Sequence, residues 1–278
     1  MPGTRYEVLA LRYGSSTGSR SKDFHRFYKY NEPDEPTVTD YFFWVLRSAE
    51  HCVLVDTGFT PAAADRRGVT THYDPVAGLR RLGIEPADVD HVVITHLHYD
   101  HVGNATAFPR ATFSIAAAEL AFWTTSPYAR RAQFAGAVEF DAVEKFQSLA
   151  RAGRVTTIER THECAPGVTA RVVGGHTPGQ LIVSMPSADG GTVLASDALH
   201  FYEELERDRP YAYLTDLVAM YETYALLREL QSRPGWAVVA GHDPAVLDRF
   251  PAIDPADPAF GARITSGVDH LDETPEST

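Results

Sequence analysis

The sequence has little cysteine, no long apolar run and a shortage of basic residues. Its 278 residues include only two cysteines, Cys52 and Cys164, which excludes a disulfide scaffold and is typical of a reducing compartment. No segment reaches the roughly 18 apolar residues of a membrane-spanning helix, and the first residues lack the apolar stretch of a signal peptide. We therefore expect a cytoplasmic protein without a membrane partner.

Acidic residues outnumber basic ones, with 37 aspartates and glutamates against 25 lysines and arginines and a formal net charge of −12. Because proteins bind nucleic acids through basic surfaces, this balance argues against a nucleic-acid partner. The hydrophobic fraction of 44% is ordinary for a globular protein, and the length allows a sizeable core. We expect one domain over residues 1–265 and a flexible acidic tail over 266–278.

Histidine is concentrated in one short segment. Residues 95–101 read Thr-His-Leu-His-Tyr-Asp-His and follow an apolar run directly. Imidazoles and carboxylates are the ligands that bind zinc and similar divalent ions. His96 and His98 are two residues apart, so at the end of an extended segment they point to the same side. Asp100 and His101 follow after a turn, and one peptide can therefore supply ligands to two adjacent metal ions.

Three more candidate ligands follow apolar, strand-like runs later in the chain. His176 lies in a Gly/Pro-rich turn, Asp197 follows the run at 192–196, and His242 follows the run at 236–240. In α/β folds the points where strands run into loops commonly carry the site. Each residue alone has an ordinary explanation, such as a turn histidine or a helix cap. Together with the segment at 95–101 they indicate a metal site.

These residues resemble the motifs of the metallo-β-lactamase superfamily, in the same order along the chain. The motifs are Val55-Asp56-Thr57-Gly58, His-x-His-x-Asp-His at 96–101, Gly175-His176-Thr177-Pro178-Gly179, Ser196-Asp197 and Gly241-His242-Asp243. The resemblance implies an α/β fold, the αββα four-layer sandwich, in a single domain. It also implies that Asp56 contacts the metal ligands, but not the metal, and orients them.

The resemblance further implies two divalent metal ions and names their ligands. One ion would be bound by His96, His98 and His176, the other by Asp100, His101 and His242, with Asp197 bridging. Zinc is the default for such ligands, and iron, manganese or cobalt can take its place. The implied reaction is attack of a metal-bridging hydroxide on a lactone or related cyclic ester, with Asp100 or Asp197 passing a proton to the leaving oxygen.

Within the superfamily, the stretch from Asp197 to Glu206 is most similar to the N-acyl-homoserine lactone lactonases of bacterial quorum quenching. Those enzymes carry a tyrosine three residues after the bridging aspartate, where its hydroxyl contacts the substrate carbonyl. Here His200 occupies that position and Tyr202 lies two residues further on. We predict that His200 faces the metal pocket, with Tyr202 as the alternative. Both are catalytic candidates beside Asp100 and Asp197.

Two other functions stay open. One is another hydrolase of the same fold, such as a glyoxalase II-like thioesterase, which the short stretch after His242 disfavours, or a hydrolase of secondary metabolism. The other is an iron-bearing redox protein or a non-catalytic metal-binding module, which the complete set of seven ligands disfavours.

Alternating strands and helices are expected along the chain, interrupted by two long segments at 14–37 and 124–153. Both segments are rich in aromatic residues. We expect them to shape a pocket for the apolar portion of an ester or lactone substrate, or to form a subunit interface such as that of a homodimer. Packing onto the body of the domain is the alternative. The expected strands are 6–13, 41–47, 52–55, 92–94, 112–115, 155–158, 168–173, 181–185, 192–195 and 236–240, and the expected helices 74–82, 116–123 and 214–230.

Overall fold

A computed structural model describes residues 4–187 and 189–265, so the expected tail at 266–278 lies outside the described residues. The strands are β1 (Glu7–Ser19), β2 (Pro36–Arg47), β3 (Cys52–Val55), β4 (Thr70–Thr71), β5 (His91–Val93), β6 (Thr112–Ala116), β7 (Val155–Ile158), β8 (Thr161–Ala165), β9 (Val168–Val172), β10 (Leu181–Ser187), β11 (Gly190–Ser196), β12 (Trp236–Ala240) and β13 (Gly261–Thr265). The α-helices are α1 (Arg20–Asp23), α2 (Pro61–Arg67), α3 (Pro75–Arg81), α4 (Tyr99–Val102), α5 (Ala117–Thr125), α6 (Ala132–Ala135), α7 (Phe140–Arg151), α8 (Glu203–Glu206), α9 (Leu217–Gln231) and α10 (Ala245–Arg249).

The strands form two sheets. The first has the order β13-β1-β2-β3-β5-β6-β7, with β4 also pairing with β1, and the second has the order β12-β11-β10-β9-β8. Strands β3, β5, β6 and β7 run parallel to one another, as do β11 and β12, whereas the other strand pairs are antiparallel. The predicted α/β sandwich in a single domain is therefore confirmed.

Strand β2 shows why the sheets are layered. Phe42 and Trp44 pack with residues of the second sheet, whereas Tyr41 and Phe43 pack with the helices on the outer face. Successive side chains of a strand point to opposite faces, so a strand buried on both faces reads as a continuous apolar run. The run from Tyr41 to Leu46 is such a strand.

Most of the expected elements are observed near their predicted bounds. Asp74 caps α3, since its side chain accepts a hydrogen bond from Ala77 N, 3.1 Å away.

The segment at 14–37 differs from a plain insertion, because β1 continues to Ser19 and β2 begins at Pro36, forming a long hairpin. The pairing shifts register at Gly14, where a Cβ would lie 2.6 Å from the Phe59 ring. Among the described residues, no helix has the length and apolar character needed to cross a bilayer.

The strand ends place the candidate ligands at one edge of the sandwich. Strand β5 ends at Val93, shortly before His96, and β11 ends at Ser196, next to Asp197. Strand β12 ends at Ala240, two residues before His242. The apolar strands thus fix where the polar loops begin, and the loops converge on one site.

Candidate metal centre

The structure brings all seven predicted ligands together, and all seven are buried. Their donor atoms form two groups, each within 4.8 Å of one another. The first group is His96, His98, His176 and Asp197, and the second is Asp100, His101 and His242. These seven residues are called the donor set below. Their division matches the two ligand sets that the motifs imply.

The Asp197 carboxylate lies between the two groups. Its Oδ1 atom is 3.1 Å from Nε2 of both His101 and His242. Its Oδ2 atom is 3.3 Å from His176 Nε2 and 3.7 Å from His96 Nε2. One oxygen therefore faces each group, which is the arrangement that a bridging carboxylate requires.

Hydrogen bonds to the outer ring nitrogens orient several of these imidazoles. The Nδ1 atom of His101 lies 2.8 Å from Asp56 Oδ2, and that of His176 lies 2.7 Å from the Tyr213 carbonyl oxygen. The Nδ1 atom of His242 lies 2.8 Å from the Asp40 carbonyl oxygen. A ring that donates from Nδ1 presents the Nε2 lone pair, which is the form that ligates metal.

Asp56 connects the loop after β3 with two segments of the donor set. It accepts hydrogen bonds from Thr95 N and Thr95 Oγ1, both at 2.8 Å, in addition to its contact with His101. Its φ angle is 65°, and Ser196, 3.4 Å away through Oγ, has a φ angle of 47°. Left-handed conformations of residues other than glycine are costly and cluster at functional sites.

Glu119 on α5 is a buried carboxylate that connects two loops of the donor set. Its Oε1 atom accepts from Leu97 N at 2.9 Å and from Trp123 Nε1 at 2.6 Å. Its Oε2 atom accepts from Gly179 N at 3.0 Å. The loop of His96 and the loop of His176 are therefore attached to the same side chain. No motif or spacing in the sequence marks Glu119 as a site residue.

The donor set fits a pair of divalent ions. His96 Nε2 and His101 Nε2 are buried and have no hydrogen-bond partner among the described residues, an arrangement that is costly for a polar atom. Burial, together with the neighbouring imidazoles, holds the pKa of His96 and His98 well below the ordinary value. Both rings are therefore neutral, as metal ligation requires.

A cavity of about 290 Å³ opens onto the donor set. Its walls carry hydroxyl groups, aromatic rings and one guanidinium, from Ser16, Thr17, Thr39, Tyr41, Arg67, Tyr99, Tyr211 and Tyr213. Both long segments reach it, through Ser16 and Thr17 of 14–37 and through Gly136 and Ala137 of 124–153.

Several phenylalanines of the two long segments pack onto the body of the domain, whereas Tyr28 and Tyr128 are exposed. Phe24 and Phe27 pack against Phe201, while Phe140 and Phe146 join the core beneath the first sheet. The interpretation of these rings as pocket walls is therefore corrected. The ring-bearing walls come from the rest of the chain, because the two segments present only small residues to the cavity.

His200 and Tyr202 lie in different environments. His200 lines the cavity, and its Nε2 atom is 3.0 Å from Asp197 Oδ2. Tyr202 belongs to the hydrophobic core, where its hydroxyl accepts a hydrogen bond from Ala240 N at 3.4 Å and Arg249 covers its ring at 3.6 Å. Burial raises the pKa of Tyr202 to about 12. The proposal of Tyr202 as a catalytic residue is corrected, because the turn before α8 directs its ring into the core.

Tyr211 is a pocket residue that the sequence analysis missed. Its ring stacks on His200 with the centroids 3.6 Å apart and an interplanar angle of 18°. The segment at 14–37 holds it by backbone pairing, since Ala212 N donates to Asp23 O at 2.8 Å and His25 N donates to Pro210 O at 2.7 Å. The long hairpin therefore contributes to the pocket by positioning Tyr211.

Tyr99, which lies within the ligand segment, also lines the cavity. Its hydroxyl donates to Tyr41 Oη at 3.0 Å, and the Arg67 guanidinium lies 4.0 Å from its ring centroid. Arg67 is in turn paired with Glu139 at 3.0 Å. Tyr99 therefore packs against its neighbours and also faces the cavity.

We expect the replacement of Gly179 with alanine to lower stability, because the turn of His176 packs directly on α5. A Cβ at Gly179 would lie 2.4 Å from the backbone nitrogen of Glu119. Overpacking of this kind typically costs about 1–3 kcal/mol of unfolding free energy. Thermal unfolding tests this, with Gly136→Ala as the control, since a Cβ there would meet only Tyr213 at 3.8 Å. An unchanged Tm for Gly179→Ala would contradict the close packing.

Comparisons with known proteins agree with this geometry. The family profile described as Metallo-beta-lactamase superfamily matches residues 37–242. N-acyl homoserine lactonase AttM of Azorhizobium caulinodans is 28% identical over 238 aligned residues, and the match covers 75% of this chain and 83% of that protein. N-acyl homoserine lactonase AiiA of Bacillus thuringiensis subsp. kurstaki is 25% identical over 215 aligned residues, and the match covers 72% of this chain and 80% of that protein.

Solved structures show the same fold. The crystal structure of a quorum-quenching N-acyl homoserine lactone lactonase superposes with a TM-score of 0.72 at 22% identity, covering 88% of this chain and 95% of that one. AidC, a dizinc quorum-quenching lactonase, superposes with a TM-score of 0.68 at 17% identity, covering 88% and 90%. The family match spans most of the sequence and includes every residue of the donor set, and the chain therefore belongs to the metallo-beta-lactamase superfamily.

Proposed function

We propose that this chain is a metal-dependent hydrolase that opens the ester bond of a lactone, with N-acyl homoserine lactones as the first substrates to test. The observation that carries the proposal is the donor set itself, gathered at the floor of an open cavity with Asp197 facing both groups. The curated relatives AttM and AiiA are named N-acyl homoserine lactonases, which supports the substrate class.

In this proposal His96, His98 and His176 hold one divalent ion, Asp100, His101 and His242 hold the other, and Asp197 bridges them. AidC is described as a dizinc lactonase, which supports zinc as the metal of this site. The same donors can also bind iron, manganese or cobalt. When bound, such ions polarise an ester carbonyl and lower the pKa of water toward neutrality.

Side chains around the cavity bind the substrate and transfer protons. The aromatic rings of the cavity wall can contact the acyl chain of a substrate. The hydroxyl groups of Ser16, Thr17 and Thr39 can form hydrogen bonds with its polar atoms. Asp100 Oδ2 lies at the cavity, 3.4 Å from His101 Nε2 and 3.6 Å from His242 Nε2. Either Asp100 or Asp197 can therefore take a proton from water and return it to the leaving alkoxide.

A panel of lactones, thioesters and β-lactams, assayed with zinc-loaded protein, tests the proposal. We expect lactones to be hydrolysed with the highest kcat/KM and chelation of the metal to abolish that activity. Protein heated in the absence of substrate provides the background rate. Efficient turnover of thioesters with none of lactones would replace the proposal by a thioesterase. Undiminished lactone turnover by metal-free protein would contradict the role of the donor set.

The proposal also includes the setting of the enzyme. We propose a single domain over 1–265 that acts in the cytoplasm, and the two free cysteines, Cys52 and Cys164, support the reducing compartment. A homodimer would use exposed aromatic side chains such as Tyr28 and Tyr128, which are 77% and 61% exposed. Sedimentation analysis with Tyr28→Ser and Tyr128→Ser variants tests the dimer.

A further inference from the structure

Three hydroxyl groups on one wall of the cavity form a hydrogen-bonded row. Tyr99 Oη donates to Tyr41 Oη at 3.0 Å, and Tyr41 Oη lies 3.2 Å from Ser16 Oγ. All three residues line the cavity. Ser16 belongs to β1, Tyr41 to β2 and Tyr99 to α4, so three elements of the fold bring these oxygens together. Ser16, Tyr41 and Tyr99 are called the hydroxyl row below.

The hydroxyl row holds one more hydrogen than its own hydrogen bonds use. Each hydroxyl carries one hydrogen and accepts hydrogen bonds through its lone pairs. Two hydrogen bonds join the three oxygens, so they use two of the three hydrogens. Within the described chain these oxygens have no other hydrogen-bond partner. The remaining hydrogen is therefore left for an acceptor that enters the cavity.

Tyr41 is the member of the row that is best placed to donate this hydrogen. Its oxygen lies in the middle, where it accepts from Tyr99 and can accept from Ser16 as well. A hydroxyl that accepts hydrogen bonds is polarised by them and becomes a stronger donor. Its ring packs edge-on against that of His242 with the centroids 5.2 Å apart, which places it beside the donor set.

We infer that Tyr41 determines substrate specificity, by donating a hydrogen bond to an oxygen on the side chain of the lactone. This inference rests on the proposed function, since it requires a lactone to bind over the donor set. The preferred substrates are lactones whose side chain carries an oxo or hydroxyl group. The same side chain as a plain hydrocarbon leaves the Tyr41 hydroxyl without an acceptor, and a buried polar group without a partner costs free energy.

The rest of the cavity also suits a small, polar side chain of the substrate. Among the described residues that line it, only Val69 and Ala137 have purely aliphatic side chains. Thr17 and Thr39 add two more hydroxyl groups. The volume of about 290 Å³ is at the lower end of the range for ligand sites, roughly 300–1,000 Å³. A long hydrocarbon chain would therefore find little apolar surface in this cavity.

Pairs of lactones that differ only by one oxo group on the side chain test the inference. The ratio of the two kcat/KM values is measured with zinc-loaded wild type, Tyr41→Phe, Ser16→Ala and Tyr99→Phe. We expect wild type to prefer the oxo substrate by about tenfold, the effect of one well-placed hydrogen bond. The ratio should fall to within about twofold of unity in Tyr41→Phe.

The other two variants identify the donor within the row. Ser16→Ala removes one oxygen and leaves Tyr99 donating to Tyr41, so the Tyr41 hydrogen stays available for the substrate. Tyr99→Phe leaves Ser16 as a hydrogen-bond partner of Tyr41. We therefore expect both variants to keep most of the preference. A preference that disappears in Ser16→Ala and persists in Tyr41→Phe would assign the donor to Ser16 and contradict the inference.

Tyr41→Phe keeps the ring that packs against Tyr13, Phe59 and Tyr99. Because both substrates are measured on one sample, an inactive fraction of the protein cancels from the ratio. The matched control is Tyr28→Phe, since Tyr28 is 77% exposed, and it should keep the wild-type ratio.

Two results would overturn the inference and leave the proposed function intact. One is a wild-type enzyme that hydrolyses both members of each pair at rates within twofold, which needs no variant to fold. The other is a Tyr41→Phe variant that keeps the wild-type ratio. A metal-loaded wild-type protein that hydrolyses neither kind of lactone would overturn the proposed function and the inference together.

Discussion

Replacing Asp197 with alanine is expected to remove one of two bound metal ions and most of the hydrolytic activity. The side chain is buried, and its two oxygens face different groups of imidazoles at 3.1–3.7 Å. No neighbouring carboxylate is placed between the two groups in this way within the described chain. We expect kcat/KM to fall by at least about a hundredfold, or roughly 3 kcal/mol of transition-state stabilisation.

Elemental analysis and lactone hydrolysis, measured on the same samples, check this prediction. Wild type should contain close to two ions per chain and Asp197→Ala close to one. Asp248→Ala is the matched control, since that aspartate is exposed on α10, away from the donor set. A singly loaded Asp197→Ala protein with wild-type activity would exclude a mechanism that needs both ions.

The positions of the donor set could be predicted from the sequence because local patterns encode them. Apolar runs mark the strands, strand ends mark the loops, and the spacing of His96 and His98 puts both side chains on one side. The same reasoning predicted the strand at 41–47, which the structure places between the two layers of core. These features depend on neighbours in the sequence, so the fold does not have to be known first.

The environment of the donor set depends on contacts between distant segments. His200 and Tyr202 are two residues apart, and only the direction of the turn before α8 decides which one meets the cavity. Tyr211 reaches His200 because residues 23–25 pair with residues 210–212. No spacing rule indicates either arrangement. The aromatic content of the long segments was visible in the sequence, but which surface those rings cover was not.

Glu119 is the clearest example of such a contact, and it supports a strong prediction. It lies 22 residues from Leu97 and 60 from Gly179 along the chain, yet it receives hydrogen bonds from both backbone nitrogens. Burial raises the pKa of this carboxyl, and the hydrogen bonds from Leu97, Trp123 and Gly179 oppose that shift. These hydrogen bonds therefore stabilise the buried carboxylate.

Replacing Glu119 with alanine should weaken metal binding and destabilise the fold together. Three buried donors, Leu97 N, Gly179 N and Trp123 Nε1, would lose their acceptor. At about 1–3 kcal/mol for each unpaired group, the unfolding free energy should fall by at least about 3 kcal/mol. Because the freed nitrogens belong to the loops of His96 and His176, metal affinity should fall about 10–100-fold, as it does when groups behind metal ligands are removed.

The conservative variant Glu119→Gln separates positioning from bulk stability. An amide oxygen in the Oε1 position can still accept from Leu97 N and Trp123 Nε1, but the amide nitrogen then faces Gly179 N, which needs an acceptor. We expect Glu119→Gln to perturb mainly the loop of His176. Its metal affinity, measured well below its Tm, should lie between that of wild type and that of Glu119→Ala. The exposed Glu144→Ala on α7 should match wild type. If Glu119→Ala lowers Tm while the folded variant binds metal as tightly as wild type, Glu119 supports the fold without positioning the ligands.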